Sequence, residues 1–464
     1  MTISTIRDLF IQSTEKNKNT AALGFVGEEP LLYSDVKQKV QSVIAYLEKK
    51  GIKKGDKVGI LSSNQPNWGV SYFAIVTMGA VAVPILPDFH EGEIQNVLNH
   101  SEAKALFVSE SLYRKVQPEI FKSMSFVLLV ENFSEVQANM SESELSKLPS
   151  NIEQSSVFPD YEIDKNDLAS IIYTSGTTGK SKGVMLSHWN LVFTVINAGK
   201  IHPMGQRDRL LSILPLSHTY ENTIAFLLPF ASGASINYLR KPPVPAVLLP
   251  ALKMVKPTIM LSVPLIMEKI YKGKVLANIQ AKAITRMLYK FAPTRKLLNK
   301  VAGKKLMETF GGCIEFFGIG GAKLSPEVER FLIEARFPYA IGYGLTETSP
   351  LLAGFDSFQG KYQSTGPAMN GVTLKINDPD PRTKQGEIWA KGDNVMLGYF
   401  KEPELTAEVI TPDGWFRTGD LGAFDKSGYV FIKGRLKNMI VGASGENIYP
   451  EEIEAIINRF KYVI

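Results

Sequence analysis

Tyr173-Thr-Ser-Gly-Thr-Thr-Gly-Lys-Ser-Lys-Gly-Val-Met-Leu-Ser-His188 gathers the residue types that hold a phosphate, directly after an apolar run that reads as a strand. Gly176, Gly179 and Gly183 would let backbone N–H groups approach an anion. Thr174, Ser175, Thr177 and Thr178 add hydroxyl donors, and Lys180 and Lys182 supply charge. A flexible surface turn is the competing use of the same residues. The spacing is not that of a Walker A loop, because Thr174 stands where the first glycine is required. A P-loop ATPase is therefore disfavoured.

Gly342-Tyr-Gly-Leu-Thr-Glu-Thr-Ser-Pro350 carries an aromatic, a hydroxyl and a carboxylate at Tyr343, Thr346 and Glu347. These would suit a base face, a phosphate oxygen and Mg²⁺, which usually takes one or two carboxylates plus nucleotide phosphates. A dinucleotide fingerprint would need glycine where Glu347 stands, so that reading fails. Upstream, Gly318-Ile-Gly-Gly-Ala-Lys-Leu-Ser ends a strand with glycines that either let a flat ring lie on backbone or simply turn the chain. Thr418-Gly-Asp-Leu-Gly422 and Gly434-Arg-Leu-Lys-Asn438 are individually weak, since a turn aspartate and a surface arginine are ordinary. His218, in Leu214-Pro-Leu-Ser-His-Thr-Tyr-Glu221, is placed as a histidine that caps a helix would be.

The elements needed to position these residues are those of an α/β protein. Lys57–Leu61, Ala82–Ile85, Ala105–Val108 and Leu168–Tyr173 are apolar runs separated by helical patterns, and a polar stretch from Met140 to Ser156 reads as a surface connection. Short alternating strands at 386–391 and 428–433 predict a small β-rich part over 355–434. With 464 residues the chain exceeds one core, and 44% hydrophobic and 21% charged residues are ordinary globular usage. The single Cys313 excludes an internal disulfide framework, and five histidines without ligand spacing give no zinc site. The cytoplasm is the expected compartment, and neither a secretory signal nor a membrane-spanning run is expected.

Charge is concentrated in one place. Between Leu265 and Lys305 eleven Lys/Arg stand against the single acid Glu268. Lys282, Arg286 and Lys290 recur every four residues, while Ile279, Ala283, Ile284, Met287, Leu288 and Phe291 fall on the other side. The segment reads as a basic amphipathic helix, either packed with a solvated lysine face or lying on an anionic membrane surface, peripherally at the inner face. Nucleic acid is not expected, because base-stacking features are few.

In order and spacing these motifs resemble the adenylate-forming superfamily of acyl-CoA synthetases, luciferases and nonribosomal peptide adenylation domains. The match spans nearly the whole chain and is most similar to long-chain fatty acid–CoA ligases through Ser262-Val-Pro-Leu-Ile-Met-Glu-Lys-Ile-Tyr271. The resemblance implies that the loop 173–188, with Thr174 and Lys182 foremost, holds the ATP phosphates. Tyr343 and Gly344 would lie on adenine with Gly320, Gly321 and Ala322, and Thr346 would contact phosphate. Glu347 would bind magnesium, Asp420 and Arg435 would hold the ribose, His218 would border the acyl pocket, and Lys437 would be the hinge of a lid.

The implied architecture is an AMP-binding body over 1–435, made of α/β subdomains at about 1–165 and 166–354 and a β-rich one at 355–434. The start of a small α+β lid would follow at 436–464. Ser181 stands where many members have proline, and Leu265 where many have a basic residue. The family's catalytic lysine lies in the lid beyond Ile464, so a chain of this extent is expected to bind but react poorly. The implied reaction activates a medium- to long-chain fatty acid with ATP and Mg²⁺ to acyl-AMP, then to acyl-CoA, with release of AMP and pyrophosphate. A carrier-protein acceptor and a non-catalytic nucleotide- or lipid-binding relative are the alternatives.

Overall fold

The computed structural model describes residues 3–174 and 181–436, the backbone of 440–441 and 447–448, and Ile457. They divide into two units: Met1–Met260 with Thr346–Pro350 and Met396–Pro403, and Leu261–Leu345 with Leu351–Val395 and Glu404–Ile464. The mixed α/β class expected from the sequence is what the chain forms.

In the first unit the apolar runs become a seven-stranded sheet. Its order is Gly398–Tyr399, Lys182–Ser187, Leu168–Thr174, Val81–Ile85, Lys57–Leu61, Ala103–Val108 and Phe126–Leu129. Val81–Ile85 is buried throughout and Lys57–Leu61 at every position after the first, as continuous apolar runs require in parallel strands covered on both faces. Leu168–Thr174 and Lys182–Ser187 pair antiparallel, and Thr174 stands opposite Lys182. A second set of strands, Arg209–Ser212, Ser235–Tyr238, Ala21–Phe25 and Leu31–Leu32, flanks a helical layer. Phe10, Tyr33, Phe73, Phe226 and Phe230 fill that layer with ring centroids 4.6–6.3 Å apart. Thr5 begins the helix Ile6–Lys16 by accepting from the Asp8 N–H, and Ser187 begins His188–Ile201 in the same way from Asn190, satisfying amide groups that a helix start leaves open.

The second unit holds the parallel strands Phe316–Ile319 and Tyr339–Gly344, with Leu351–Gly354 antiparallel beside the latter. It also holds a four-stranded antiparallel sheet ordered Thr373–Asn377, Gly386–Lys391, Phe416–Phe424, Val430–Arg435. The polar stretch after Met140 is mostly irregular, interrupted by one helical turn at Glu142–Leu145 whose Leu145 is buried.

The basic segment differs from the single amphipathic helix expected. Ala277–Gln280 ends before Lys282, which adopts extended backbone, and Ala283–Leu288 follows as a separate helix. Pro293 then opens the 18-residue helix Ala292–Thr309, a position where its missing N–H costs nothing. The segment's apolar side is only partly packed: Ile279 is buried, but Ala283–Leu288 has no buried residue.

Candidate nucleotide site

Strand Tyr339–Gly344 is buried through Ile341, so its register fixes where its last residues emerge. A bulge between Tyr343 and Gly344, where the strand pairs with Leu351–Gly354, re-aims this end, a device common beside functional sites. The Tyr343 hydroxyl donates to Asp420 Oδ2 at 2.9 Å, and Arg435 Nε lies 3.1 Å from Asp420 Oδ1. Asp420 and Arg435 are direct cross-strand partners. Thr418 holds the Asp420 end, its hydroxyl donating to the Ile388 carbonyl at 2.7 Å and accepting the Asp420 N–H at 3.1 Å. Burial pushes the Tyr343 hydroxyl well above the usual phenol range, and the Asp420 charge adds to this.

Tyr343, Gly344, Asp420 and Arg435 line a cavity of about 330 Å³ together with Gly321 and Ala322. That volume is at the lower end of those that enclose small molecules. Gly320, just beyond strand Phe316–Ile319, donates its N–H to the Ser262 carbonyl at 3.1 Å, and Gly321 sits at φ +86°, a conformation other residues rarely adopt. The sequence reading had missed Gln363 and Glu329, which line the same cavity. Glu329 is fully buried and accepts the Gln363 N–H and side-chain amide and the Tyr339 hydroxyl; burial nevertheless raises its pKa. Neither residue lies in a recognisable motif, so spacing offered no signal for them.

A second constellation lies in the first unit. Glu347 sits in the short 3₁₀ turn Thr346–Thr348, held by the Met396 N–H donating to its carbonyl at 2.9 Å. Tyr399 donates its hydroxyl to Glu347 Oε1 at 2.8 Å, and the Lys182 ammonium stands 5.2 Å from the centre of the Tyr399 ring. Tyr399 too was missed; its strand Gly398–Tyr399 pairs with Val184 and Met185, a contact no local pattern announces. A Cβ on Gly183 would come within 2.9 Å of Ile171 and 3.2 Å of Tyr173, so the hairpin backbone passes at closest approach there. Thr174 is half-buried at the hairpin's end and Thr346 is buried. Ser175, Gly176, Thr177, Thr178, Gly179, Lys180 and Lys437 lie outside the described residues.

His218 is exposed on the loop before the π-helical turn Glu221–Leu227, with its Nδ1 accepting the Tyr220 N–H at 3.3 Å. Beside it in sequence, Glu221 is buried and accepts from the Ser212 hydroxyl at 2.6 Å, and burial pushes its carboxyl up to about 8. A larger cleft of about 420 Å³ in the first unit contains none of the motif residues.

Among the described residues no three His, Cys, Asp or Glu side chains converge as in a self-sufficient metal cage. Glu347, half-buried and hydrogen-bonded through Oε1, fits the lesser demand of a magnesium ion whose other ligands are phosphate oxygens.

An α/β body with a nucleoside-sized cavity lined by backbone, an aromatic and a carboxylate is the architecture of a nucleotide-binding enzyme. Residues 10–400 match the model of the AMP-binding enzyme family, and the chain belongs to that family. It is 30% identical over 436 residues to the long-chain-fatty-acid–CoA ligase FadD15 of Mycobacterium bovis, covering 87% of this chain and 69% of that protein. It is 28% identical to the chloroplastic long-chain-fatty-acid–[acyl-carrier-protein] ligase AEE15 of Arabidopsis thaliana, over 99% of this chain and 73% of that one. Among solved structures, ATP-bound MatB from Rhodopseudomonas palustris superimposes with a TM-score of 0.77 at 26% identity, covering 99% of this chain and 84% of MatB.

Proposed function

We propose that this protein activates a medium- to long-chain fatty acid with ATP and transfers the acyl group to coenzyme A. The observation that carries the reading is the Tyr343–Asp420–Arg435 cluster lining a nucleoside-sized cavity in a member of the AMP-binding family. The long-chain ligases among its relatives supply the substrate class. In this reading the Tyr343 ring and the Gly320–Ala322 backbone receive adenine, and Asp420 and Arg435 hold the ribose hydroxyls. Thr174, Thr346, Lys182 and the loop between 174 and 182 receive the phosphates. His218 borders the acyl chain. Glu347 holds Mg²⁺, which when bound offsets charge on the phosphates.

A carboxylate oxygen of the acid attacks the α-phosphorus, the bond to the β-phosphate bridging oxygen breaks, and pyrophosphate leaves. The chain's part is to align the two reactants and to place positive charge where negative charge grows. The acyl carbon of the mixed anhydride is then attacked by the CoA sulfur, AMP departs and the thiol proton passes to solvent. We assign the body to 1–435 and the hinge to Lys437, with the lid following from 436. The compartment in this reading is cytoplasmic, with peripheral contact at an anionic membrane surface through 265–305. No described helix is long and apolar enough to cross a membrane.

The AEE15 relative favours a second acceptor, a carrier-protein thiol. The test is pyrophosphate release with acids of increasing chain length, followed by supply of CoA or a carrier protein. Acid-dependent pyrophosphate with AMP formation on adding CoA is expected. Release of inorganic phosphate without acid dependence would overturn the reading.

A further inference from the structure

The Glu347 constellation draws on two segments far apart in sequence, the hairpin of Leu168–Thr174 with Lys182–Ser187 and the strand Gly398–Tyr399. One histidine touches a residue beside each. His100 stands in the last turn of helix Glu91–Ser101, in the first unit. Its Nδ1 and the Tyr173 hydroxyl share a hydrogen bond of 2.8 Å, and the two rings meet edge-on with centroids 5.8 Å apart. The same imidazole meets the Phe400 ring edge-on at 5.7 Å. Tyr173 precedes Thr174, and Phe400 follows Tyr399, the residue whose hydroxyl donates to Glu347. The Phe400 N–H donates to the Gly183 carbonyl at 2.8 Å, next to Lys182. A Cβ on Gly183 would meet Tyr173 at 3.2 Å and Phe400 at 3.4 Å, so the hairpin lies close against both residues. Lys401 fastens the helix end, its ammonium donating to the His100 carbonyl at 3.0 Å and to Glu102 Oε1 at 2.8 Å. Burial, and after it the Lys401 charge, holds the imidazole below the usual histidine range, so the ring is neutral at pH 7.

We infer that His100 is a positioning residue: by holding Tyr173 and Phe400 together it sets Thr174 and Lys182, at the ends of the phosphate loop, against the Glu347 carboxylate. The inference rests on the ATP reading of this site. A packing role alone would be met by an aliphatic side chain between the Tyr173 and Phe400 rings. Such a side chain offers nothing to the Tyr173 hydroxyl, which belongs to a residue only 4% exposed, where a missing hydrogen bond is costly. Fixing that hydroxyl fixes the backbone one residue before Thr174, and fixing the Phe400 ring does the same one residue after Tyr399. A displacement of about 1 Å at such points is enough to lose much of what an aligned group contributes. Tyr343, Asp420 and Arg435, assigned to adenine and ribose, belong to the second unit. The effect of His100 therefore falls on the phosphates and the metal rather than on the nucleoside.

The test compares calorimetric affinities of the whole chain for AMP and for α,β-methylene-ATP with Mg²⁺, with thermal unfolding of every variant alongside. His100→Ala should weaken the triphosphate analogue by roughly tenfold and AMP by less than about twofold. His100→Asn, whose side-chain amide can stand in for Nδ1, should recover most of that loss. Tyr173→Phe removes the same hydrogen bond from its other end while keeping the ring, and it too should weaken the analogue but not AMP. Combined with Tyr173→Phe, His100→Asn should lose its advantage over His100→Ala. If His100→Ala does not fold, Tyr173→Phe carries the same comparison. Equal losses for AMP and the analogue would leave His100 a packing residue and overturn the inference. An unchanged analogue affinity would do the same, as would His100→Asn no better than His100→Ala. A wild type that binds neither nucleotide removes the ATP reading and the inference with it. A wild type that gains affinity from the added phosphates and Mg²⁺, with variants that keep the whole gain, removes the inference alone.

Discussion

Two tyrosine–carboxylate pairs of nearly equal length are held differently in the two units. In the second, Tyr343 reaches Asp420 at 2.9 Å; in the first, Tyr399 reaches Glu347 at 2.8 Å. Asp420 is 5% exposed and engaged on both oxygens, by the tyrosine and by Arg435. Glu347 is half-buried, and among the described residues its second oxygen makes no hydrogen bond. A carboxylate already neutralised by a guanidinium can still accept from hydroxyls but has little need of a cation. One with a neutral partner and a second oxygen without a hydrogen bond among the described residues suits the metal role proposed for Glu347. In the proposed site the same pair would thus serve as an acceptor in one place and an electrostatic site in the other, according to what holds the second oxygen.

The comparison can be broken most severely at Glu347. Glu347→Gln keeps the size and a carbonyl for Tyr399 but removes the charge, so adenylate formation, read as pyrophosphate release, should slow by about a hundred- to a thousandfold. Asp420→Ala should act on affinity instead. It strips the acceptor from a buried tyrosine and the partner from Arg435, so calorimetric binding of an AMP analogue should weaken by roughly 3 kcal/mol, about a hundredfold.

Glu221 shows what a buried carboxyl does when, among the described residues, neither a tyrosine hydroxyl nor a cation is hydrogen-bonded to it. Unfolded, it ionises near 4.5; folded, near 8. Between these values the folded state holds the extra proton, so its contribution to stability falls as pH rises from about 4.5 to about 8 and is constant outside that window. Glu221→Gln should therefore stabilise the chain at pH 8 by up to about 4 kcal/mol, and by almost nothing below the window, in urea unfolding. The smallest effects belong to the tyrosines. Tyr343→Phe should cost about 1.5 kcal/mol in nucleotide binding and Tyr399→Phe about 0.5–1 kcal/mol in activation energy, because the second carboxylate is better solvated. Equal losses would mean that the two pairs are equivalent after all.

Much of the fold was legible because buried parallel strands announce themselves. Lys57–Leu61 was bounded correctly by its apolar run, and Ala105–Val108 fell two residues short of the observed Ala103–Val108 only because Lys104 interrupts it. The basic segment misled for the opposite reason. Its period of four is helical, yet periodicity says nothing about whether a partner exists for the apolar side or whether Pro293 will restart the helix. At the site, Tyr343 stood out in a short motif, Asp420 and Arg435 only through the order and spacing that the resemblance rests on, and the chain does bring the three together. Tyr399, Gln363 and Glu329 reach their places through strand pairing and loop packing over long sequence distances. The hydroxyl that restrains Glu347 was therefore invisible until the chain was folded.

Asp420 faces Arg435 because the connection 425–429 returns the chain in one register, with a bulge between Leu421 and Gly422. A slip of one residue would set Gly434 or Leu436 opposite Asp420 and carry the guanidinium to the other side of the sheet. The connection touches no nucleotide in the proposed site, yet it acts as a ruler. A graft that keeps its length, Asp425 (which accepts the Ser427 and Tyr429 N–H groups), Gly428 at φ +79° and Tyr429 should be silent, whereas a single-residue insertion there, if not absorbed at the bulge, would erase the proposed ribose contacts without disturbing any residue that makes them.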